Sequence, residues 1–140
     1  MTDEDAPFHA QGVFTGLTRE EGEEILAAGS PISFPSEAAI FRSGDHGDAM
    51  YVITKGAAKV EVGGRFHILH AGDFFGEMAL LAPGPRMATI VAEGDVETVR
   101  IPAEAFERFV LEHPAVAVAM MKQLVIRLRE VEQRIDAWMA

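Results

Sequence analysis

Apolar and polar positions divide the chain into three zones. In the first, Thr18-Arg19-Glu20-Glu21 has the form of a capping box, a threonine followed three residues on by a glutamate. It predicts a helix from Thr18 to about Ala28, ended by Gly29 and Pro31. With the segment from Phe8 it forms a helical lead-in over residues 1–30, whose acidic run reads as a solvated face. From Ile32 to Ile101 the pattern becomes that of short strands punctuated by turns. Ala49-Met50-Tyr51-Val52-Ile53-Thr54 should end at Lys55-Gly56, with Ala57 to Val62 following. Gly63-Gly64, between Lys59–Val62 and Arg65–Leu69, is a two-residue hairpin signal. A further strand pair, Thr89–Ala92 and Val96–Ile101, is expected to turn at Glu93-Gly94-Asp95. Strands at this spacing imply an antiparallel sandwich or barrel.

The third zone, residues 102–140, is helical. Pro102 and Pro114 suit first-turn positions of two helices, the first through about Leu111 and the second through about Met139. In the second, Met121, Leu124, Leu128, Val131, Ile135 and Trp138 follow one another in alternating three- and four-residue steps, a heptad seam. The extra apolar residues Val118, Val125 and Ile126 suggest that the first half packs on its own domain. The second half, Arg127 to Arg134, is charged off the seam, so its stripe is expected to meet a second copy as a parallel homodimer.

At 140 residues the chain suits one domain with a real core. With no cysteine, disulfides, thiol catalysis and cysteine-ligated metal clusters are excluded. Twelve Lys and Arg against 22 Asp and Glu give a net charge of -10, which argues against DNA binding through phosphates. No apolar run approaches membrane length and Met1-Thr2-Asp3-Glu4-Asp5 is acidic, so a cytoplasmic chain without a membrane partner is expected. Catalysis is not indicated. His67 and His70 are three apart on a strand and face opposite sides, and His9, His46 and His113 read as polar surface. Ser30, Ser33, Ser36 and Ser43 lie in no nucleophile motif.

The candidate chemistry lies in residues 76–92. Gly76 opens a short helical turn, where backbone N–H groups point outward at one spot that suits a phosphate. Ten residues on, beyond Pro83-Gly84-Pro85, Arg86 can bring a planar guanidinium to the same anion. Glu77 only accepts hydrogen bonds, so it needs a donor such as a ribose hydroxyl. Either residue alone would more simply belong to a surface ion pair.

Phe75, Gly76, Glu77, Met78, Ala79, Leu80, Pro85, Arg86, Ala88 and Thr89 together resemble the phosphate-binding cassette of the cyclic nucleotide-binding domain family. The resemblance extends over nearly the whole chain, through Phe34-Pro35, Ile40-Phe41, Gly44-Asp45, Tyr51-Val52-Ile53, Gly56 and Gly72-Asp73. It departs near Glu37, where the family often has glycine. It implies an antiparallel β jelly-roll over residues 31–101, with an N-terminal helix and C-terminal helices.

It also implies roles. The N–H groups of Gly76, Met78, Ala79 and Met87 would surround a cyclic phosphate, Arg86 would pair with it, and Glu77 would accept the ribose 2′-OH. Val60, Phe66 and Met78 would line the sugar and base pocket, with Ala88 and Thr89 completing the motif. Met87 stands where members that bind cyclic GMP often have Ser or Thr, which favours cyclic AMP. The last helix would cap the base, but the Thr-Ser pair of the catabolite activator protein is replaced by Val131-Glu132. An apolar lid from Val131, or stacking by Arg127 or Arg134, is the expected substitute. The resemblance thus implies a cyclic AMP receptor with no other cofactor, either stand-alone and signalling to an unidentified downstream protein by repositioning its last helix, or the sensory part of something longer. A nucleotide-insensitive dimeric interaction module of the same fold is the alternative. Because the chain is acidic, long-range steering should oppose an anionic ligand. Added salt is therefore expected to raise the association rate in stopped-flow measurements, and a rate that falls with salt would show a positive field at the site.

Overall fold

The computed structural model describes residue 14 and residues 16–139, so the lead-in from Phe8 to Val13 lies outside the described residues, as do the side chains of Arg127 and Trp138. Helix α1 (Arg19–Ala27) begins at the expected box, with the Thr18 hydroxyl accepting from the Glu21 N–H and the Glu21 carboxylate accepting from the Thr18 N–H. Strands β1 (Ser30–Phe34), β2 (Ala39–Phe41), β3 (His46–Gly47), β4 (Ala49–Val62), β5 (Arg65–His70) and β6 (Phe74–Phe75) follow. The short helix α2 (Met78–Leu81) and strands β7 (Gly84–Pro85) and β8 (Thr89–Pro102) lead into α3 (Ala103–Glu112) and α4 (Pro114–Met139). All strand pairings are antiparallel, giving the mainly β roll with flanking helices.

The long strands β4 and β8 run side by side and organise the roll. Their Ala49–Ile53 and Thr98–Pro102 halves pair with each other, flanked by β1 and β6. Their Ala57–Glu61 and Thr89–Glu93 halves pair in turn, flanked by β2 and β5. This corrects two expectations, because neither Lys55-Gly56 nor Glu93-Gly94-Asp95 is a turn. Both are register shifts within continuous strands, where Lys55 pairs with Glu97 but Ala57 already pairs with Glu93. Gly56 sits so close to β8 that a Cβ there would lie 2.5 Å from the Asp95 carbonyl oxygen. Gly63-Gly64 is a true hairpin turn, with φ of 56° and 79° between the paired Val62 and Arg65.

Before the shift β4 is buried on both faces. Met50 and Val52 pack with Phe14, Ile25, Ile101, Phe106 and Phe109 beneath the helices. Tyr51 and Ile53 face the roll's interior with Ile40, Phe75, Ile90 and Val96. Beyond it Ala58 and Val60 remain inside while Glu61 is exposed, the alternation of a strand with one wet face. Pro102 is extended and forms the N-cap of α3 instead of a first-turn position, because it still pairs with Ala49. Pro114 begins α4 as expected. The elbow between α3 and α4 is tied to α1 by His113 Nε2 and Glu24 Oε2, 2.6 Å apart. On α4 the residues buried against the domain are Val116 and Met120. Val118, Val125 and Ile126 are instead exposed, which corrects their expected packing.

Among the described residues Glu37 is the one non-glycine with positive φ, at 70°, and its N–H donates to the Ala92 carbonyl. This conformation explains why glycine suits the position, since a Cβ there is sterically disfavoured by about 1–2 kcal/mol. Glu37→Gly is expected to stabilise the fold by roughly 0.5–1 kcal/mol in urea unfolding, after the added chain entropy of glycine is offset. Destabilisation would show that the Glu37 side chain makes a compensating interaction.

Candidate functional site

Arg86 is the most deeply buried charged group among the described residues, at 8% exposure. Its Nη2 donates to the Ala49 carbonyl at 2.7 Å and its Nη1 to the Gly76 carbonyl at 3.3 Å. Its guanidinium carbon lies 4.0 Å from the centre of the Phe41 ring, a cation–π contact. The backbone beneath is pinned as well: the Arg86 N–H donates to the Asp45 carbonyl, and the Arg86 carbonyl accepts from the Gly44 N–H. Two glycines make room. A Cβ on Gly47 would fall 2.2 Å from Arg86 Nε, and one on Gly76 would fall 2.7 Å from Nη1. The Nε–H is buried with no acceptor among the described residues, and the guanidinium carries more donors than its two carbonyls use. Desolvation lowers the Arg86 pKa, opposed by Tyr51, Asp48 and Asp45 and reinforced by Arg100. An anion brought to this guanidinium would relieve the strain of burying its charge.

Arg86 forms part of the wall of a cavity of about 640 Å³. The cavity brings together Val60, Gly76, Glu77, Met78, Ala79, Arg86, Met87 and Ala88 of the expected site residues. Glu77 occupies the N-cap of α2 without a side-chain capping bond, so its carboxylate is not engaged by that helix. The Ala79 N–H, expected to face an anion, instead donates to the Gly76 carbonyl at 3.2 Å and closes the turn. Thr89 does not line the cavity; its hydroxyl accepts from the Ser43 N–H and ties down the preceding loop.

Phe66 does not line the cavity either and is 58% exposed, with the Lys59 ammonium 5.1 Å from its ring centre. His67 and Leu69 line it in its place, which corrects the expectation for β5. The sequence did hold a signal for this. A two-residue turn at Gly63-Gly64 pairs Val62 with Arg65 and therefore Val60 with His67, and cross-strand partners share a face. Phe41, Pro83, Gly84, Pro85 and Ile90 are further lining residues that sequence reasoning missed. Val131 and Arg134, expected as a lid, are exposed on α4 and line no part of the cavity. Arg127, the other expected lid residue, has its side chain outside the described residues. Among the described residues no group of three or more His, Asp or Glu is placed to hold a metal.

The family model described as cyclic nucleotide-binding domain matches residues 31–113. Over 96 residues the chain is 41% identical to the cGMP-dependent protein kinase of Toxoplasma gondii, covering 68% of this chain and 10% of the kinase. Over 130 residues it is 32% identical to the Cyclic AMP receptor protein of Thermus thermophilus, covering 89% of this chain and 60% of that protein. The N-terminal domain of a transcriptional regulator from Streptomyces coelicolor A3(2) has the same fold, with a TM-score of 0.80, 27% identity and 95% of each chain covered. The chain thus spans a tenth of the kinase and about three fifths of the receptor.

The seat of Arg86 can be tested without a ligand. Gly47→Ala should displace the guanidinium from the buried Ala49 carbonyl and lower the unfolding free energy by about 1–3 kcal/mol. Unchanged urea unfolding would mean that the side chain has another equally good seat.

Proposed function

Because the chain belongs to the cyclic nucleotide-binding domain family, we propose that it is a receptor domain that takes cyclic AMP into the 640 Å³ cavity and passes the signal to a partner protein through α4. The observation that carries this reading is the buried Arg86, with donors left over, sharing a cavity with the carboxylate of Glu77. A cyclic nucleotide presents one anionic phosphate and one free ribose hydroxyl, which complement a guanidinium and a carboxylate. Most of the remaining wall is apolar, as a stacked or enclosed base requires.

The preference for cyclic AMP over cyclic GMP rests on Met87. It lies on the cavity wall beside Arg86 and is 72% exposed, and its thioether offers no hydroxyl for the guanine amino group. The relatives are named for both nucleotides, one as a cGMP-dependent kinase and one as a cyclic AMP receptor. Whatever the base, the proposed role is regulatory.

The proposed output is α4 and a second copy of the chain. Met121, Leu124, Leu128, Val131 and Ile135 are between 39% and 58% exposed, a stripe at heptad spacing that the domain's own core leaves uncovered. Pairing of this stripe in a parallel homodimer would cover it, and a nucleotide would act by favouring one position of α4 over another. Direct DNA binding by this segment is disfavoured by its net charge of -10. No single helix among the described residues is long and apolar enough to cross a membrane.

Calorimetric titration with cyclic AMP and cyclic GMP is the direct test. Cyclic AMP is expected to bind more tightly, and stronger binding of cyclic GMP would reverse the base assignment. Arg86→Lys keeps the charge but loses the planar fork, and should weaken cyclic AMP by roughly ten- to a hundredfold. Equal affinity in that variant would refute paired recognition of the phosphate. Absence of heat with either nucleotide would leave the exposed stripe on α4 as the functional feature and favour the dimeric interaction module.

A further inference from the structure

Once Arg86 is assigned to phosphate and Glu77 to ribose, one polar side chain remains on the cavity wall, His67. Around it the wall is built from residues such as Val60, Leu69 and Ile90, none of which offers a side-chain hydrogen bond to a base edge. The position of His67 follows from the strand register. It lies opposite Val60, which is 6% exposed in the roll's interior, so both face the cavity. β5 is the edge strand of its sheet, and His67 is exposed. No hydrogen bond or ion pair engages the imidazole among the described residues. Glu77 and Arg86 are the charged groups that share its cavity, while Lys59 and Glu61 flank Val60 on the other face of β4.

We propose that His67 hydrogen-bonds the outer edge of the purine base in this site, an inference that rests on the cyclic nucleotide reading of the cavity. A neutral imidazole has one N–H donor and one acceptor nitrogen. The outer edge of adenine offers the matching pair, an acceptor at N7 and a donor at the 6-amino group, whereas guanine offers two acceptors, N7 and O6. His67 can therefore donate to N7 or accept from the 6-amino group of adenine, one bond at a time.

The test pairs deletions on the protein with deletions on the ligand. Wild-type protein, His67→Ala and His67→Phe are titrated with cyclic AMP, with its 7-deaza analogue and with cyclic purine riboside monophosphate, which lacks the 6-amino group. Wild-type protein should lose about three- to tenfold in affinity with at least one analogue. That loss should disappear in both variants, since His67→Phe keeps a ring on the wall but supplies no hydrogen bond. An unchanged analogue ratio in either variant overturns the proposal, as does wild-type protein that binds all three ligands equally. In both of those cases cyclic AMP still binds, so the function proposed above survives. Wild-type protein that binds none of the three removes both. Circular dichroism of the variants separates a lost bond from a lost fold.

Discussion

The structure turns on how a guanidinium is kept inside the protein. Burying an isolated cation is strongly unfavourable unless hydrogen bonds replace its water. Arg86 obtains them from two backbone carbonyls, Ala49 at the start of β4 and Gly76 at the corner before α2, and rests on the face of Phe41. Each partner comes from a different part of the chain, so the roll must close before Arg86 has a seat. Gly47 and Gly76 then have no space for a side chain, because the guanidinium stands where their Cβ atoms would be. The compensation is incomplete, as the lowered pKa and the unpartnered Nε–H show. A buried positive charge with donors to spare gives the cavity local positive potential, even in a chain whose net charge is strongly negative.

The aromatic residues around this seat connect it to both cores. Phe75 stacks on Tyr51 at 5.3 Å and meets Phe41 at 5.7 Å, inside the roll. Its neighbour Phe74 points the other way and meets Phe14 at 4.9 Å, which in turn meets Phe106 of α3. Two consecutive residues of β6 thus anchor the corner at Gly76 to the roll's interior on one side and to the helices on the other. Close packing of this kind resists continuous deformation, so displacement of the corner would be felt by α3 and its elbow with α4. The same arrangement leaves the far half of α4 without a partner in its own domain.

Much of the chain was legible locally. The capping box at Thr18, the Gly63-Gly64 turn, the start of α4 at Pro114 and the grouping of Gly76, Glu77 and Arg86 each depend on neighbours in sequence, where steric and hydrogen-bonding rules operate over a few residues. The errors lay where distant pairing overrides such rules. Glu93-Gly94-Asp95 has turn composition, yet its backbone is carried as a bulge inside β8 because β4 runs alongside it. In β5 both alternating sets contain apolar residues, Phe66 and Ile68 on one and Leu69 on the other, so hydrophobicity did not correct the placement of Phe66 that the resemblance implied. The hairpin register to Val60 decided it.

The sequence by itself therefore determined the class of fold, the starts of α1 and α4, the hairpin and the residue types available to hold an anion, because these follow from short-range sterics and from side-chain chemistry. The tertiary structure decided which carbonyls hold Arg86 and which residues of α4 are covered. Those outcomes depend on contacts between segments as far apart as Ala49 and Arg86, and on strand registers that the bulges reset. No local pattern encodes them, since they exist only once the two long strands have paired.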